Sequence, residues 1–309
     1  MLKRYDILVA GEINPDLIVS DPSLTIRFGQ HEAMVDSMSL VVGSSSAIFA
    51  CGAARLGLKV GFIGIAGDDV FGRFMLEVLR QHGIDVAPVI VDSKLRTGAS
   101  VILSRGEDRA ILTFAGAIGA LEADQVTDEL LLQTRHLHVA SYFLQAQLRR
   151  GLPLLFQRAH ARSVTTSLDP NWDPSETWGG FDEVLPVTDV FLPNRNEALA
   201  IAGATDLDVA FARLCRPNAV VAIKFGALGA KAQGRGEVAE AAAVPVRVVD
   251  TVGAGDSFDA GFVYGYLKGW RLADCLRLAC VCGSLSTEAA GGTQGQPELQ
   301  RALERLERN

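Results

Sequence analysis

The chain has 309 residues, of which 49% are apolar and 21% are charged, a composition typical of a globular protein rather than a disordered one. Its 29 basic and 36 acidic residues give a net charge of −7, which argues against binding to a nucleic-acid backbone or an anionic membrane surface. We therefore expect a small-molecule partner, with neither nucleic acid nor membrane as a ligand.

Targeting and cysteine patterns point to the cytoplasm. The N-terminal stretch holds Lys3, Arg4 and Asp6 and lacks the apolar run of a secretory signal. Uninterrupted apolar segments stay well short of the ~20 residues that span a bilayer. The five cysteines form no CxxC pair, and a metal site at Cys280 and Cys282 would lack further ligands at zinc spacing, so we interpret them as reduced thiols.

Short apolar runs of strand length alternate with helical stretches along the chain. The predicted strands cover 6–10, 60–65, 137–140, 164–168, 190–192 and 220–224, and the predicted helices cover 47–56, 70–82, 148–161, 197–202, 208–215 and 257–268. Strands that are almost wholly apolar suit a parallel sheet covered on both faces. We predict an α/β fold, a three-layer α/β/α sandwich on a mainly parallel central sheet.

Residues 13–42 and 96–115 break this alternation with short strands of alternating polarity. We predict that they pair into a small β-sheet lid over one edge of the core, inside a single domain spanning residues 1–309. Two ordinary surface hairpins are the alternative. The outer face of such a sheet would be a natural contact for a homodimer.

The most informative stretch is "VVDTVGAGDSFDAGFVYGYLKG", residues 248–269. A strand ending at Asp250 is predicted to run through Gly253, Ala254 and Gly255 into a helix that begins near residue 257. The glycines turn tightly and expose backbone N–H groups, and the helix adds its positive dipole end, so an anion would bind there.

Asp256 follows these amides directly in the sequence. It would accept the proton of a hydroxyl that attacks a bound phosphoryl group. We expect this carboxyl to be ionised at neutral pH because the positive helix end favours the carboxylate. The alternative is that Asp256 only caps the helix.

The full string resembles the C-terminal signature of the ribokinase-like, PfkB-type carbohydrate kinases. "VVGSSSAIFACGAARLG" with "VGFIGIAGDDVFGRFMLEVLRQHGI" resembles the other signature of that family, and "INPD" is similar to its Asn-x-Asp sugar contact. The resemblance covers essentially the whole chain and implies a ribokinase-like fold. The resemblance places Asn14, Asp16 and Gly43 at the sugar. Without the resemblance, Asn14 and Asp16 would be interpreted as turn residues.

The resemblance also implies ATP and Mg²⁺ as cofactors. "DVFLPNRNEA" resembles an Asn-x-x-Glu element, so Asn194 and Glu197 would hold waters of Mg²⁺; the same pair fits a helix capping box. By the same resemblance Asp250 and the Val252 carbonyl would flank a monovalent cation, K⁺. "VAIKFGALGAKA" and "LACVCGSLSTEAAGG" resemble nucleotide-binding segments, and the ATP-binding residues implied are Asn194, Lys224, Gly226, Gly229, Gly255 and Gly283.

Two further residues are candidates for the substrate site. "SLDPNWDPS" puts Asp169 and Asn171 at the carboxyl end of a strand, where open α/β sheets bind ligands. Arg109, on the predicted lid, would reach an anionic or hydroxylated substrate; a solvated surface arginine is the alternative.

Departures from the family pattern bear on the substrate. Ser44 replaces a usual glycine, and Ile48 and Ile118 stand where asparagines are expected. Because a buried site without those polar partners discriminates against a hydroxyl-rich ligand, ribose is disfavoured.

We predict an ATP-dependent kinase acting on a primary hydroxyl of a small sugar or sugar acid, of the fructose or 2-keto-3-deoxygluconate type. A nucleoside kinase of the same family and a non-catalytic sugar- or nucleotide-binding protein are the alternatives. The chain lacks a GxGxxG after an early strand and a Walker A motif, which argues against dinucleotide and P-loop enzymes.

Overall fold

The structure is a computed structural model that describes residues 3–106 and 108–308; position 107 of the predicted lid segment lies outside the described residues. Its strands, in chain order, are β1 (Tyr5–Ala10), β2 (Pro15–Ser20), β3 (Ser37–Val42), β4 (Val60–Ile63), β5 (Ile65–Gly67), β6 (Ile90–Asp92), β7 (Ala99–Arg105), β8 (Asp108–Phe114), β9 (Thr134–Val139), β10 (Thr165–Leu168), β11 (Val190–Phe191), β12 (Val220–Lys224), β13 (Ala230–Gly234) and β14 (Glu237–Ala241). Its helices are α1 (Ser45–Arg55), α2 (Val70–Gln81), α3 (Asp128–Leu132), α4 (Ala146–His160), α5 (Arg195–Ala202), α6 (Leu207–Leu214), α7 (Ala254–Leu267), α8 (Leu272–Ser286) and α9 (Leu299–Glu307).

A large sheet of eight strands has the order β14-β13-β12-β11-β10-β9-β1-β4. The pairs from β4 to β12 are parallel, whereas β13 runs antiparallel to both of its neighbours. Because the six strands from β4 to β12 share one direction, their carboxyl ends meet at one edge of the sheet. The functional residues described below follow these ends.

Apolar side chains cover both faces of the large sheet. On β1, Ile7 and Val9 point into one core with Phe49 of α1 and Phe262 of α7, while Leu8 points into the other core, which α4, α5 and α6 cover. This alternation follows from the two-residue period of a strand. The predicted α/β/α sandwich is confirmed.

A smaller sheet of four strands has the order β3-β2-β7-β8. It draws β2 and β3 from the first predicted lid segment and β7 and β8 from the second, with β2 and β7 parallel. Ile111, Leu112 and Phe114 on β8 are more than half exposed. The predicted homodimer contact through this sheet stays a prediction.

The structure corrects the start of the predicted segment at 248–269. Residues 248–250 form no strand; Val249 N and Asp250 N instead donate to the Thr287 carbonyl at 2.7 and 3.2 Å. Helix α7 begins at Ala254, three residues earlier than predicted. Asp256 is therefore part of the first helical turn and does not cap the helix, whose N-cap is Gly253.

Two histidines lie in the centre of the large sheet. His136 and His138 on β9 are fully buried, and both hydrogen-bond at 2.7 Å to the Ser167 hydroxyl on β10. The second ring also stacks on Phe49, with 3.5 Å between the ring centroids. These contacts give both rings a structural role within the sheet.

Glycines allow α7 and α8 to pack closely. A β-carbon at Gly265 would lie 2.9 Å from Cys275 Sγ and 3.0 Å from Cys275 Cα, and one at Gly261 would lie 3.0 Å from Ala279 Cα. Since two of these atoms belong to the backbone, they cannot rotate away.

We predict that Gly265→Leu lowers the free energy of unfolding by about 1–3 kcal/mol, because the new side chain overpacks the α7–α8 contact. Gly179→Leu is the matched control, since no atom lies within 4 Å of a β-carbon there. Urea denaturation of both variants measures the difference. Equal losses in the two variants would contradict the packing argument.

Candidate active site

A cleft of about 490 Å³ lies between the carboxyl edge of the large sheet and the smaller sheet. A second cavity of about 530 Å³ adjoins it on the side of α8. Four residues line both spaces, namely Lys224, Gly226, Thr251 and Gly255. The two cavities therefore meet at the first turn of α7 and the end of β12.

The turn before α7 requires glycine. Gly253 has a left-handed backbone with φ of 72°, a conformation that strains other residues. A β-carbon there would lie 2.8 Å from Gly292 Cα and from Ile48 Cγ2. Ala254 and Gly255 at the start of α7 line the 530 Å³ cavity, and Gly253 and Gly255 line the 490 Å³ cleft. Ala254 N donates to the Thr251 carbonyl at 3.3 Å, and the first N–H groups of a helix have no acceptor within the helix itself. The anion site at Gly253, Ala254 and Gly255 stays a prediction.

Asp256 lines the 490 Å³ cleft and is buried. Burial raises the pKa of Asp256 to about 8, and the Asp169 carboxylate adds to this shift while Lys224 opposes it. The expectation that this carboxyl is ionised at neutral pH is therefore wrong, because the helix end does not compensate for the loss of solvent. A carboxylate with a raised pKa is a stronger base once it has lost its proton.

Two buried carboxylates hold one ammonium group. Lys224 Nζ lies 2.9 Å from Asp169 Oδ2 and 3.0 Å from Asp259 Oδ2. Burial alone would lower the pKa of Lys224, but the two carboxylates raise it. Burial raises the pKa of Asp259 well above its usual value, although the Lys224 ammonium opposes that shift. Burial also acts to raise the pKa of Asp169, but the Lys224 ammonium and hydrogen bonds outweigh it, so the pKa of Asp169 is lowered.

Glu12 follows β1 and is buried. Its Oε1 accepts hydrogen bonds from Ser46 N at 3.2 Å and Ser141 Oγ at 2.8 Å, and its Oε2 accepts one from Ser46 Oγ at 2.6 Å. This carboxylate joins the loops after β1 and β9 to the start of α1. Sequence reasoning missed Glu12, whose position directly after a buried strand was the available signal.

Asn171 continues this network towards Asp256. Its Oδ1 accepts from Ser141 N at 2.7 Å, and its Nδ2 donates to Ser45 Oγ at 2.9 Å. The Ser45 hydroxyl in turn hydrogen-bonds to Asp256 and lowers its pKa. Asn171 lines the cleft as predicted, but its amide already holds two protein groups, so it positions the loop around Asp256.

Of the three predicted sugar residues, Asp16 lines the cleft, whereas Asn14 and Gly43 are not part of its lining. Asn14 and Asp16 are buried, and burial raises the pKa of Asp16 to about 6. A β-carbon at Gly43 would overlap the Asp16 carboxylate, so the glycine makes room for that side chain. Asp16 and Arg109 line the cleft from β2 and β8 of the smaller sheet.

The residues that depart from the family pattern lie at different depths. Ser44 has φ of 69°, in the left-handed region that favours glycine, and it caps α1 by accepting from Ala47 N. Ile48 lines the cleft and packs on the Gly253 turn. Ile118 is buried beneath Gly98 and is not part of the cleft lining.

Asn194 and Glu197 form a capping box at the start of α5. Asn194 N and Nδ2 donate to the two Glu197 carboxylate oxygens at 2.8 and 2.6 Å, and Asn194 Oδ1 accepts from Glu197 N at 3.0 Å. Both residues line the cleft, and burial raises the pKa of Glu197 to about 7. Each carboxylate oxygen keeps a second lone pair, so the pair fits water-mediated binding of Mg²⁺, which retains several of its waters in proteins.

The 530 Å³ cavity collects most residues of the predicted nucleotide site. Gly226, Gly229, Gly283 and Gly255 line it together with apolar side chains of the 243–248 segment and Phe258. Asn194 lies instead in the 490 Å³ cleft, and Lys224 bridges the two spaces.

Asp250 lies beside this cavity and connects the loop before α7 to the loop after α8 through hydrogen bonds. Its Oδ1 accepts from Val252 N at 3.0 Å and its Oδ2 from Gly291 N at 2.8 Å. The monovalent-cation site at Asp250 and Val252 stays a prediction.

Replacing Glu12 tests the network behind the cleft. We predict that Glu12→Ala lowers the free energy of unfolding by about 3 kcal/mol or more, since three buried donors lose their acceptor at about 1–3 kcal/mol each. Glu12→Gln keeps an acceptor oxygen and should cost about 1 kcal/mol. The exposed Glu77→Ala is the control. Chemical denaturation gives the three values, and a small loss for Glu12→Ala would contradict this role.

The strand order and the two-part cleft place a buried carboxyl, that of Asp256, at the carboxyl edge of an open α/β sheet, the edge at which proteins of this class bind ligands. A family model for pfkB family carbohydrate kinases matches residues 5–299. The chain belongs to this family and is a phosphotransferase that acts on carbohydrate.

Curated relatives carry several substrate names. A fructokinase of Klebsiella pneumoniae is 34% identical over 84% of this chain and 91% of its own length. A 5-dehydro-2-deoxygluconokinase of Geobacillus kaustophilus is 30% identical over 99% of this chain and 95% of its own. A ribokinase of Haemophilus influenzae is 29% identical over 98% and 99% of the two chains.

Solved structures share the fold. A putative ribokinase II of E. coli, in complex with ATP and Mg²⁺, superposes with a TM-score of 0.88 at 23% identity and covers 99% of this chain and 100% of its own. A fructokinase of Xylella fastidiosa with bound ATP gives a TM-score of 0.85 at 19% identity, covering 98% and 99%. Among residues 3–106 and 108–308, no helix is both long and apolar enough to cross a bilayer.

Proposed function

We propose that this protein transfers the γ-phosphoryl group of ATP to a primary hydroxyl of a small sugar or sugar acid. The observation that carries the proposal is the position of Asp256, which lines the cleft in the first turn of α7, where the two cavities meet. ATP would occupy the 530 Å³ cavity, and the sugar the 490 Å³ cleft. The smaller sheet contributes Arg109 and Ile111 to that cleft, which supports its role as a lid.

In the proposed reaction, the sugar hydroxyl oxygen attacks the γ-phosphorus, the bond to the bridging oxygen of ADP breaks, and the hydroxyl proton moves to Asp256. Amides of the 253–255 turn stabilise the charge that develops on the phosphoryl oxygens. Asn194 and Glu197 would hold Mg²⁺ through its waters, and the bound ion would neutralise phosphate charge. Asn171 and Ser45 orient the base.

The lining of the cleft supports a ketohexose or sugar-acid acceptor over ribose. Three isoleucines, Ile48, Ile102 and Ile111, face the same space as Asp16 and Arg109. Asp16 accepts hydrogen bonds from hydroxyls, while the guanidinium of Arg109 attracts a carboxylate. The names of the fructokinase and 5-dehydro-2-deoxygluconokinase relatives are consistent with these two acceptor types.

An acceptor panel tests this choice. Fructose, 2-keto-3-deoxygluconate, ribose and adenosine are each incubated with MgATP, and ADP release is measured against a sample without acceptor. We expect fructose or the sugar acid to exceed ribose by at least about tenfold in kcat/KM. Ile48→Asn should narrow that gap, whereas Ile118→Asn, outside the lining, should not. Adenosine as the best acceptor would favour a nucleoside kinase.

The base is tested by Asp256→Asn. We predict that turnover falls at least about a hundredfold while the protein stays folded, because the amide takes the place of the carboxyl but accepts no proton. In the unmodified protein, kcat/KM should rise about tenfold per pH unit below a pKa near 8 and then level off, since only the deprotonated carboxylate is a base. Residual activity of the variant should lack this pH dependence. Turnover within a few-fold of the unmodified protein would rule out the base.

A further inference from the structure

We propose that the Lys224 ammonium is the fixed positive charge that faces the transferred phosphoryl group, and that Asp259 is a positioning residue that holds it there together with Asp169. This inference rests on the proposed function and deepens it. It adds a charged side chain at the point of transfer, where the reaction so far has only helix amides and a bound metal ion.

The position of Lys224 is the first argument. It is one of four residues that line both cavities, and its Nζ lies 3.6 Å from the point where a β-carbon would sit on Gly255. The ammonium is therefore next to the amide turn and at the boundary that the phosphoryl group must cross. A lysine that served only the base or ribose of a nucleotide would lie further into the 530 Å³ cavity.

The two carboxylates explain how a flexible side chain keeps one position. Lysine loses much rotamer freedom when it is fixed, and two acceptors from different elements supply that restraint. Asp169 follows β10 and Asp259 lies in α7, and their side chains are 3% and 1% exposed, against 12% for Lys224. The carboxylates are inside the protein, and the lysine is the member of the group that reaches the cleft.

Asp259 also links the ammonium to the base. Asp256 and Asp259 are three residues apart in α7, so they lie on the same face of the helix. The ion pair between Asp259 and Lys224, which ends β12, fixes the rotation of α7 about its axis. The same contact therefore sets the direction of the Asp256 carboxyl and the position of the positive charge.

The acidic group could be mistaken for a metal site. Carboxylate oxygens of Asp169, Asp256 and Asp259 lie within 4.8 Å of one another, as in a cation site. The Lys224 ammonium is already within about 3 Å of two of them. Because a divalent cation in this position would meet the ammonium at short range, the lysine itself is the cation that neutralises these carboxylates.

The test compares kcat and KM in single variants, with MgATP and the panel acceptor on which the unmodified protein is most active. Lys224→Met removes the charge at similar length and should lower kcat about a hundredfold or more at saturating concentrations of both substrates, the size expected for loss of a group that stabilises transition-state charge. Lys224→Arg keeps the charge and should recover part of that loss. Asp259→Asn should lower kcat about tenfold, with the KM of the acceptor within threefold of the unmodified value.

Lys231→Met is the matched control, because Lys231 is also paired with two carboxylates, Asp208 and Glu240, but lies on β13 outside both cavities. Its kcat should be unchanged. If Lys224→Met loses its cooperative unfolding transition, Asp259→Asn decides. A kcat within threefold of the unmodified value in Lys224→Met, or in Asp259→Asn where Lys224→Met does not fold, would overturn the inference.

Three further outcomes are informative. A rise in the KM of ATP with unchanged kcat in Lys224→Met would also overturn the inference, because it would assign the lysine to ground-state nucleotide binding. If the unmodified protein phosphorylates an acceptor while Lys224→Met remains fully active, only this inference fails. If the unmodified protein releases no ADP with any acceptor, the proposed function fails, and the inference with it.

Discussion

Gly253 has a left-handed backbone, and Gly292 and Ile48 approach it so closely that no β-carbon fits. This contact fixes where α7 begins. It also places Asp256 in the cleft rather than at the helix cap. Since the Asp256 carboxyl and the boundary between the two cavities both depend on that first turn, the geometry of the cleft depends on the packing around Gly253.

Charge balance is the second constraint on this edge of the sheet. Strands β1, β10 and β12 bring Glu12, Asp169 and Lys224 to the same side, and α7 adds two aspartates. Isolated charges are costly to bury. Three features reduce this cost. Hydrogen bonds satisfy the Glu12 carboxylate, and the Lys224 ammonium lies between two carboxylates. The third is the raised pKa of Asp256, about 8, which keeps this carboxyl protonated and neutral at lower pH.

Much of the fold is readable in the sequence because strands buried on both faces must be apolar runs. All six predicted strands and all six predicted helices have counterparts, displaced by at most three residues at each end. The pattern is weaker where alanine and glycine dominate, as in β13 and β14, which were not predicted. The Val-Val-Asp run at 248–250 has strand composition, but it pairs with the end of α8 instead.

The candidate site was predicted less completely, for a physical reason. Motif resemblance points to residues that face a ligand cleft, and Asp256, Asp16 and Lys224, which it singled out, line the 490 Å³ cleft. Glu12 and Asp259 act on other protein groups, and their importance depends on distances that only the folded chain sets. The protonation of Asp256 was misjudged because the helix end is visible in the sequence, whereas the depth of burial is not.

The pair of imidazoles at the centre of the large sheet has a consequence for acid tolerance. Burial lowers the pKa of His136 to about 3 and that of His138 well below its ordinary value of 6.5. Below pH 6.5 the two imidazoles bind protons in the unfolded chain but not in the folded protein. Each ring therefore makes its full contribution to stability above that pH. Below it, the free energy of unfolding falls by about 1.4 kcal/mol per ring for each pH unit. The two rings therefore make the fold less stable in acid than at neutral or alkaline pH.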